Sequence, residues 1–227
     1  TLSNDIQITT DSGETIFLKD YFNDGLPVVL TLAYYECPML CTLVLNSLSK
    51  NLSEINLVPG EDYKALTLSI DPNEGIELAN KKKISYMSEF FVNTPNPDFW
   101  TFSVSNQKNI DKIASELGFN YSYDPNIDQY AHSAVAYVLT GDGVISKQIF
   151  GISPTSNDMK LAILSASAKS VSSIFDKILL YCYQYNPKTG GYSIIASNAM
   201  KVAGAISVLV IFIFISSLWV RERVVSL

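Results

Sequence analysis

Apolar residues fall into short β-branched runs separated by stretches with helical spacing. Ile6 and Ile8 alternate with polar neighbours, Asp11-Ser12-Gly13-Glu14 interrupts, and Ile16-Phe17-Leu18 resumes, which predicts a small N-terminal hairpin. Residues 28–33 are short, apolar and β-branched, so they predict a buried strand after the Gly25-Leu26-Pro27 turn. From Leu40 the apolar positions are 40, 44, 45, 48 and 52, the period of a helix. Residues 64–70 predict the next strand, Asp71-Pro72-Asn73 a turn, and residues 74–91 a helix with Lys81-Lys82-Lys83 on its wet side. Residues 100–104 predict a strand and residues 109–117 a helix closed by Gly118. Residues 120–130 read as a polar, tyrosine-rich loop. Residues 133–139 and 144–150 then predict a hairpin around Gly141-Asp142-Gly143, and Ser153-Pro154-Thr155 caps a helix over residues 157–180.

This alternation predicts an α/β domain over residues 1–185. Its central sheet is mainly parallel and flanked by helices, with an antiparallel strand from the last hairpin. Asn186-Pro187-Lys188-Thr189-Gly190-Gly191 opens a linker over residues 186–197. Residues 202–220 carry no charge and are apolar all round. As a helix they span roughly 28 Å at about 1.5 Å per residue, enough for a bilayer core. A single transmembrane helix is therefore expected over residues 198–221, with a short tail at 222–227. Trp219, Arg221 and Arg223 suit interface anchors, and Gly204 and Ala205 suit packing on another membrane helix. Two arginines after the span against Lys201 before it place the C-terminus on the cytoplasmic or matrix side. The N-terminal domain is then extracytoplasmic, in a periplasm or an intermembrane space.

Candidate chemistry concentrates in Tyr34-Tyr35-Glu36-Cys37-Pro38-Met39-Leu40-Cys41-Thr42. Pro38 suits a first helical turn, so Cys37 lies at the strand-to-helix turn and Cys41 one turn in, on a shared helix face. A helix N-terminus lowers a thiol's pKa. Two activated thiols at one point form a redox pair or hold a soft metal ion. The spacing is one residue longer than Cys-x-x-Cys and favours a shared metal at least as much as rapid dithiol exchange. His132 precedes an apolar strand, where a lone histidine is more often structural than a ligand. Beside two thiols it completes a soft three-coordinate set suited to Cu(I) and able to hold Cu(II), whereas zinc wants a fourth ligand.

Composition narrows the picture further. The 227 residues carry a net charge of −6, which argues against a nucleic-acid partner. Three cysteines make no disulfide scaffold, and the single histidine limits the metal sites sharply. The third cysteine, Cys182, lies in Tyr181-Cys182-Tyr183-Gln184-Tyr185, an aromatic patch that reads as packed structure, an interface belt or a partner contact.

Four stretches together resemble the SCO/SenC family of thioredoxin-fold proteins. They are residues 32–41 with the Cys-Pro-x-x-Cys-like turn, Leu68-Ser69-Ile70-Asp71-Pro72, Trp100-Thr101-Phe102, and Asp128-Gln129-Tyr130-Ala131-His132-Ser133 with the following Leu139–Gly143 hairpin. The likeness covers residues 17–178. It implies a thioredoxin-like sheet, Cys37, Cys41 and His132 as copper ligands, and Asp71 as an aspartate beside the site. Asp71 also reads as a helix N-cap. The resemblance further implies delivery of copper to the dinuclear copper centre of cytochrome c oxidase, with subunit II of that enzyme or another respiratory complex as partner, or reduction of the thiols that receive the copper. Thr42 stands where the family often has proline, the anchor here is C-terminal, and Cys182 has no counterpart in the common motif. A metal-free thiol-disulfide reductase and a stable accessory subunit of a respiratory complex fit the same residues.

Overall fold

The computed structural model describes residues 2–37, 40–151 and 154–167, with shorter pieces at 183–186, 191–194, 201, 204–209, 211–214 and 216. The N-terminal hairpin forms from β1 (Gln7–Thr10) and β2 (Thr15–Phe17). Then come β3 (Gly25–Ala33), α1 (Leu40–Glu54), β4 (Lys64–Ser69), α2 (Ile76–Phe90), β5 (Trp100–Val104) and α3 (Gln107–Leu117). The periodic stripes face the sheet as read: α1 buries Val44, Leu45, Leu48 and Leu52, and α3 buries Ile110, Ile113, Ala114 and Leu117. Asn106 caps α3 by accepting the Asn109 N–H, and Gly118, at φ +67°, ends it in the left-handed conformation.

One expected loop is structured. Residues 121–132 form a separate hairpin of β6 (Tyr121–Asp124) and β7 (Gln129–His132). Its turn is held by the Asp124 carboxylate, which accepts the Asn126 N–H at 2.9 Å. The cross-strand pair Tyr123–Tyr130, with ring centroids 5.1 Å apart, stiffens it. His132 therefore ends this small hairpin instead of opening the core one. The core hairpin follows as β8 (Val135–Gly141) and β9 (Ile145–Phe150).

A thioredoxin-like seven-stranded sheet in the order β2-β1-β5-β4-β3-β8-β9 forms the centre, flanked by helices. It is mixed and not mainly parallel. Only β3–β4 and β4–β5 run parallel, while β1–β2, β1–β5, β3–β8 and β8–β9 are antiparallel. The N-terminal hairpin docks on β5 across a long sequence gap, and β8 returns beside β3 in the opposite sense. Neither contact is encoded in local periodicity.

Gly141 faces Gly25 where β3 and β8 meet. A Cβ on Gly141 would sit 2.0 Å from the Gly25 carbonyl oxygen, which main chain alone can relieve by shifting. Gly141→Ala is expected to cost about 1–3 kcal/mol by overpacking. A urea midpoint equal to that of the parent would show that this strand end relaxes freely.

The last core helix, α4 (Ser156–Ala166), starts at Thr155, whose hydroxyl accepts the Asp158 N–H. It ends at Ala166 with Ser167 as its C-cap, and the rest of the helix expected over 157–180 falls outside the described residues. Residues 168–182, with Cys182, lie outside the described residues. A hairpin of β10 (Tyr183–Asn186) and β11 (Gly191–Ile194) runs from the end of the expected domain into the expected linker. Among the described residues no helix is long and apolar enough to cross a membrane. Helical pieces at 204–209 and 211–214 lie inside the expected span and expose Val208, Phe212 and Phe214, the remainder of that span being outside the described residues.

Candidate metal and thiol site

Strand direction gathers the candidate residues at one end of the sheet. Parallel β3 and β4 end together at the pair Ala33–Ser69, so the Cys37 turn and the Asp71 turn emerge side by side. Antiparallel β8 begins there too, Ala136 pairing with Thr31, and this brings the preceding β7 and His132 to the same end. Ligand sites on open α/β sheets favour this position outside the carboxyl ends of parallel strands.

Alternation along the extended chain after β3 sends two tyrosines to opposite sides. Tyr35 is 1 % exposed; its hydroxyl accepts the Ser103 N–H at 3.0 Å and lies 2.7 Å from the Ser103 carbonyl, to which it donates. Burial holds its phenol well above the usual range, so it stays a neutral peg that fixes the turn to β5. Tyr34 turns toward the β6–β7 hairpin. Its ring lies 5.3 Å from Tyr130 and meets His132 edge-on at 6.3 Å. Cys37 follows, buried, with its N–H donated to the Tyr34 carbonyl at 3.4 Å. Thr42, in the first turn of α1, donates its hydroxyl to the Cys37 carbonyl at 3.4 Å.

His132 is half-buried between Tyr34 and Phe119, whose ring lies 5.7 Å away. Its Nδ1 is 3.0 Å from the Ser133 carbonyl. In the neutral ring that contact places the proton on Nδ1 and the lone pair on Nε2, the arrangement of a metal-ligating imidazole. Burial lowers its pKa, with the Ser133 carbonyl opposing, so the neutral ring is favoured.

Asp71 does not cap α2. The N-cap is Gly75, and the Asp71 carboxylate instead accepts the Asn73 N–H at 2.8 Å, an Asx turn. It sits where two open grooves meet. One, of about 660 Å³, runs past Glu36, Glu74 and Glu77; the other, of about 540 Å³, runs past Asp111, Tyr121, Asp128 and Tyr130. Burial first, and the Asp71 charge next, hold the Tyr130 phenol above its ordinary value.

Sequence reasoning missed Glu74, which is 9 % exposed. Its Oε2 accepts the Tyr35 N–H at 2.8 Å and the Ser69 hydroxyl, and its Oε1 accepts the Glu36 N–H at 2.8 Å. Burial raises its pKa, and these three donors work against that shift. Ser69 also accepts the Asp71 N–H at 3.0 Å, so one network joins the Cys37 turn to the Asp71 turn.

Cys37, Asp71 and His132 thus lie on segments that meet at one end of the sheet. Cys41 is the second residue of α1, and its side chain lies outside the described residues. Among the described residues no three His, Cys, Asp or Glu side chains are gathered at metal-binding spacing.

The SCO1/SenC family model matches residues 2–165. The chain belongs to the SCO1/SenC family. Its fold is similar to that of an Aquifex aeolicus VF5 protein at a TM-score of 0.64 and 21 % identity, over 75 % of this chain and 95 % of that one. Bradyrhizobium japonicum ScoI, solved with copper bound, matches at 0.55 and 20 % identity, over 73 % and 98 %. BsSco, a member of the Sco family of cytochrome c oxidase assembly proteins with an identified disulfide switch, matches at 0.52 and 22 % identity, over 72 % and 92 %. None of the curated proteins compared matches the chain. Within this SCO1/SenC domain Tyr34, Phe119, Tyr121 and Tyr130 form an aromatic wall around His132. The sequence marked that stretch only by its density of tyrosines ahead of a Pro-Asn turn.

Proposed function

We propose that the chain is a membrane-anchored copper carrier of a respiratory oxidase, holding copper as cargo on Cys37, Cys41 and His132. The observation that carries this reading is the Tyr34 bridge, by which the residue three before Cys37 contacts the His132 ring. The donor chemistry fits: a buried thiol ahead of a helix N-terminus, a second cysteine in the first turn, and an imidazole set to present Nε2. Copper bound to Bradyrhizobium japonicum ScoI supports the same choice of metal. Cu(I) suits handover, because a soft ion on two thiolates exchanges ligands without changing oxidation state. The recipient in this reading is the dinuclear copper centre in subunit II of cytochrome c oxidase, or a comparable respiratory complex.

Residues 198–221 act as the anchor in the same reading. The exposed Val208, Phe212 and Phe214 need an apolar environment, and a bilayer supplies one. The cysteine domain then faces the periplasm or the intermembrane space. A second reading, a metal-free thiol-disulfide reductase, draws on the disulfide switch of BsSco and on the one-turn spacing of Cys37 and Cys41.

One experiment addresses all three elements. Intact cells or mitoplasts are treated with a membrane-impermeant thiol reagent, and untreated membranes are extracted anaerobically for metal and partner analysis. The expected result is labelling at Cys37 or Cys41 before lysis, recovery only with detergent, one copper per chain, and an oxidase subunit in the eluate. A metal-free chain that reduces disulfides would give the reductase reading its place. Labelling only after lysis would reverse the orientation.

A further inference from the structure

Past the pair Ala33–Ser69 the sheet ladder stops, and the N–H groups of Tyr35 and Glu36 have no strand to bond. Both are taken by one carboxylate, Glu74, from the turn just before α2. The same carboxylate accepts the Ser69 hydroxyl from the end of β4. Hydrogen bonds to an ionised acceptor are shorter and stronger than neutral ones, and in a buried site they hold geometry tightly. The residues so fixed lie immediately before Cys37. Immediately ahead of them is Tyr34, whose ring packs on Tyr130 and His132. The Asp71 N–H reaches the same carboxylate through Ser69.

We propose that Glu74 is a positioning residue: its carboxylate fixes the main chain at Tyr35 and Glu36 and thereby sets the angle at which the Cys37 thiol meets His132. This rests on the copper reading above. Glutamine matches glutamate in volume but has one acceptor oxygen and one NH₂. In Glu74→Gln either the Glu36 N–H or the Tyr35 and Ser69 donors must face that NH₂, so one edge of the clamp opens. Cu(II) demands a defined, more planar donor set, whereas Cu(I) on two thiolates tolerates bending. The variant therefore weakens Cu(II) about tenfold or more, as loss of outer partners does elsewhere, and Cu(I) much less.

The test uses the full chain in detergent, thiols reduced, titrated anaerobically with a Cu(II) salt and separately with Cu(I) against a chelator. The Cu(II)–thiolate absorption and the reduction potential of the cysteine pair are recorded. Tyr21→Phe serves as the stability control, since it removes a buried hydrogen bond to the Ala65 carbonyl at the opposite end of β4. Glu74→Gln is expected to move the absorption band, the Cu(II) affinity and the potential, while Tyr21→Phe moves only the unfolding midpoint. Should Glu74→Gln fail to fold, Ser69→Ala, which removes one of the three donors to Glu74 together with the acceptor of the Asp71 N–H, should move the same three quantities by less. Parent-like values in the folded variant, or equal shifts in Tyr21→Phe, would overturn the inference. A parent chain that binds no copper would remove the copper reading instead, and the potential alone would then decide the role of Glu74.

Discussion

His132→Ala should separate the two oxidation states of copper. In the proposed copper set the imidazole is the one nitrogen among sulfur ligands, and Cu(II) would depend on it far more than Cu(I) would. The expected loss of Cu(II) affinity exceeds the roughly 10–100-fold cost of losing an outer-shell partner. Most of the Cu(II)–thiolate absorption should disappear, while Cu(I) is retained in part. The Cys37–Cys41 disulfide should form as before, since the imidazole is no part of that bond. The fold should tolerate the change, because His132 ends the peripheral β6–β7 hairpin and is half-exposed. Oxidase maturation should fail. An unchanged Cu(II) spectrum would remove His132 from the ligand set. A variant that lost copper yet fully matured the oxidase would favour the thiol reductase.

Where local pattern and burial coincide, the sequence was easy to read. Residues 28–33 are apolar and β-branched because both faces of β3 are covered, and α1 shows its stripe because one face meets the sheet. Strand direction was not legible, since the pairing of β1 with β5 joins residues more than ninety positions apart. The β6–β7 hairpin hid because its strands are largely polar and only partly buried, so no alternation of apolar residues marks it. Lys83 looked like part of a solvated run, yet its ammonium pairs with Asp11 at 2.9 Å and Asp98 at 3.1 Å, and its side chain is only 15 % exposed. In the candidate site Cys37 and His132 were visible as reactive residue types. Glu74 was not, because it follows Asp71-Pro72-Asn73 and looks like an ordinary polar residue opening the expected helix. Its partners are main-chain N–H groups 38 and 39 residues earlier, which carry no sequence signature.

The largest stability effect is expected at Trp100. Its side chain is fully buried at the start of β5, beside Ala65 of β4. Four aromatic rings surround it: Phe102 at 5.3 Å, Phe91 at 5.9 Å, Tyr86 at 6.0 Å and Phe99 at 6.2 Å. Its Nε1–H donates to the Thr67 hydroxyl at 3.0 Å. Trp100→Ala removes the ring and leaves a cavity that rigid neighbours cannot close, at about 3–5 kcal/mol. It also strands a buried hydroxyl, adding about 1 kcal/mol or more. Against a typical total of about 5–15 kcal/mol, that removes a large share of the folding free energy. Trp100→Phe keeps most of the ring contacts and loses the hydrogen bond, so it should cost distinctly less. Urea unfolding followed by circular dichroism checks both, the expected order of midpoints being parent, Trp100→Phe, Trp100→Ala. Because Tyr35 is pegged to Ser103 on this same strand, Trp100→Ala should also loosen the Cys37 turn, seen as faster alkylation of its reduced thiol below the unfolding transition. An alanine variant within about 1 kcal/mol of the parent would mean that the aromatic cluster repacks around the gap, and that the turn does not depend on β5 for its position.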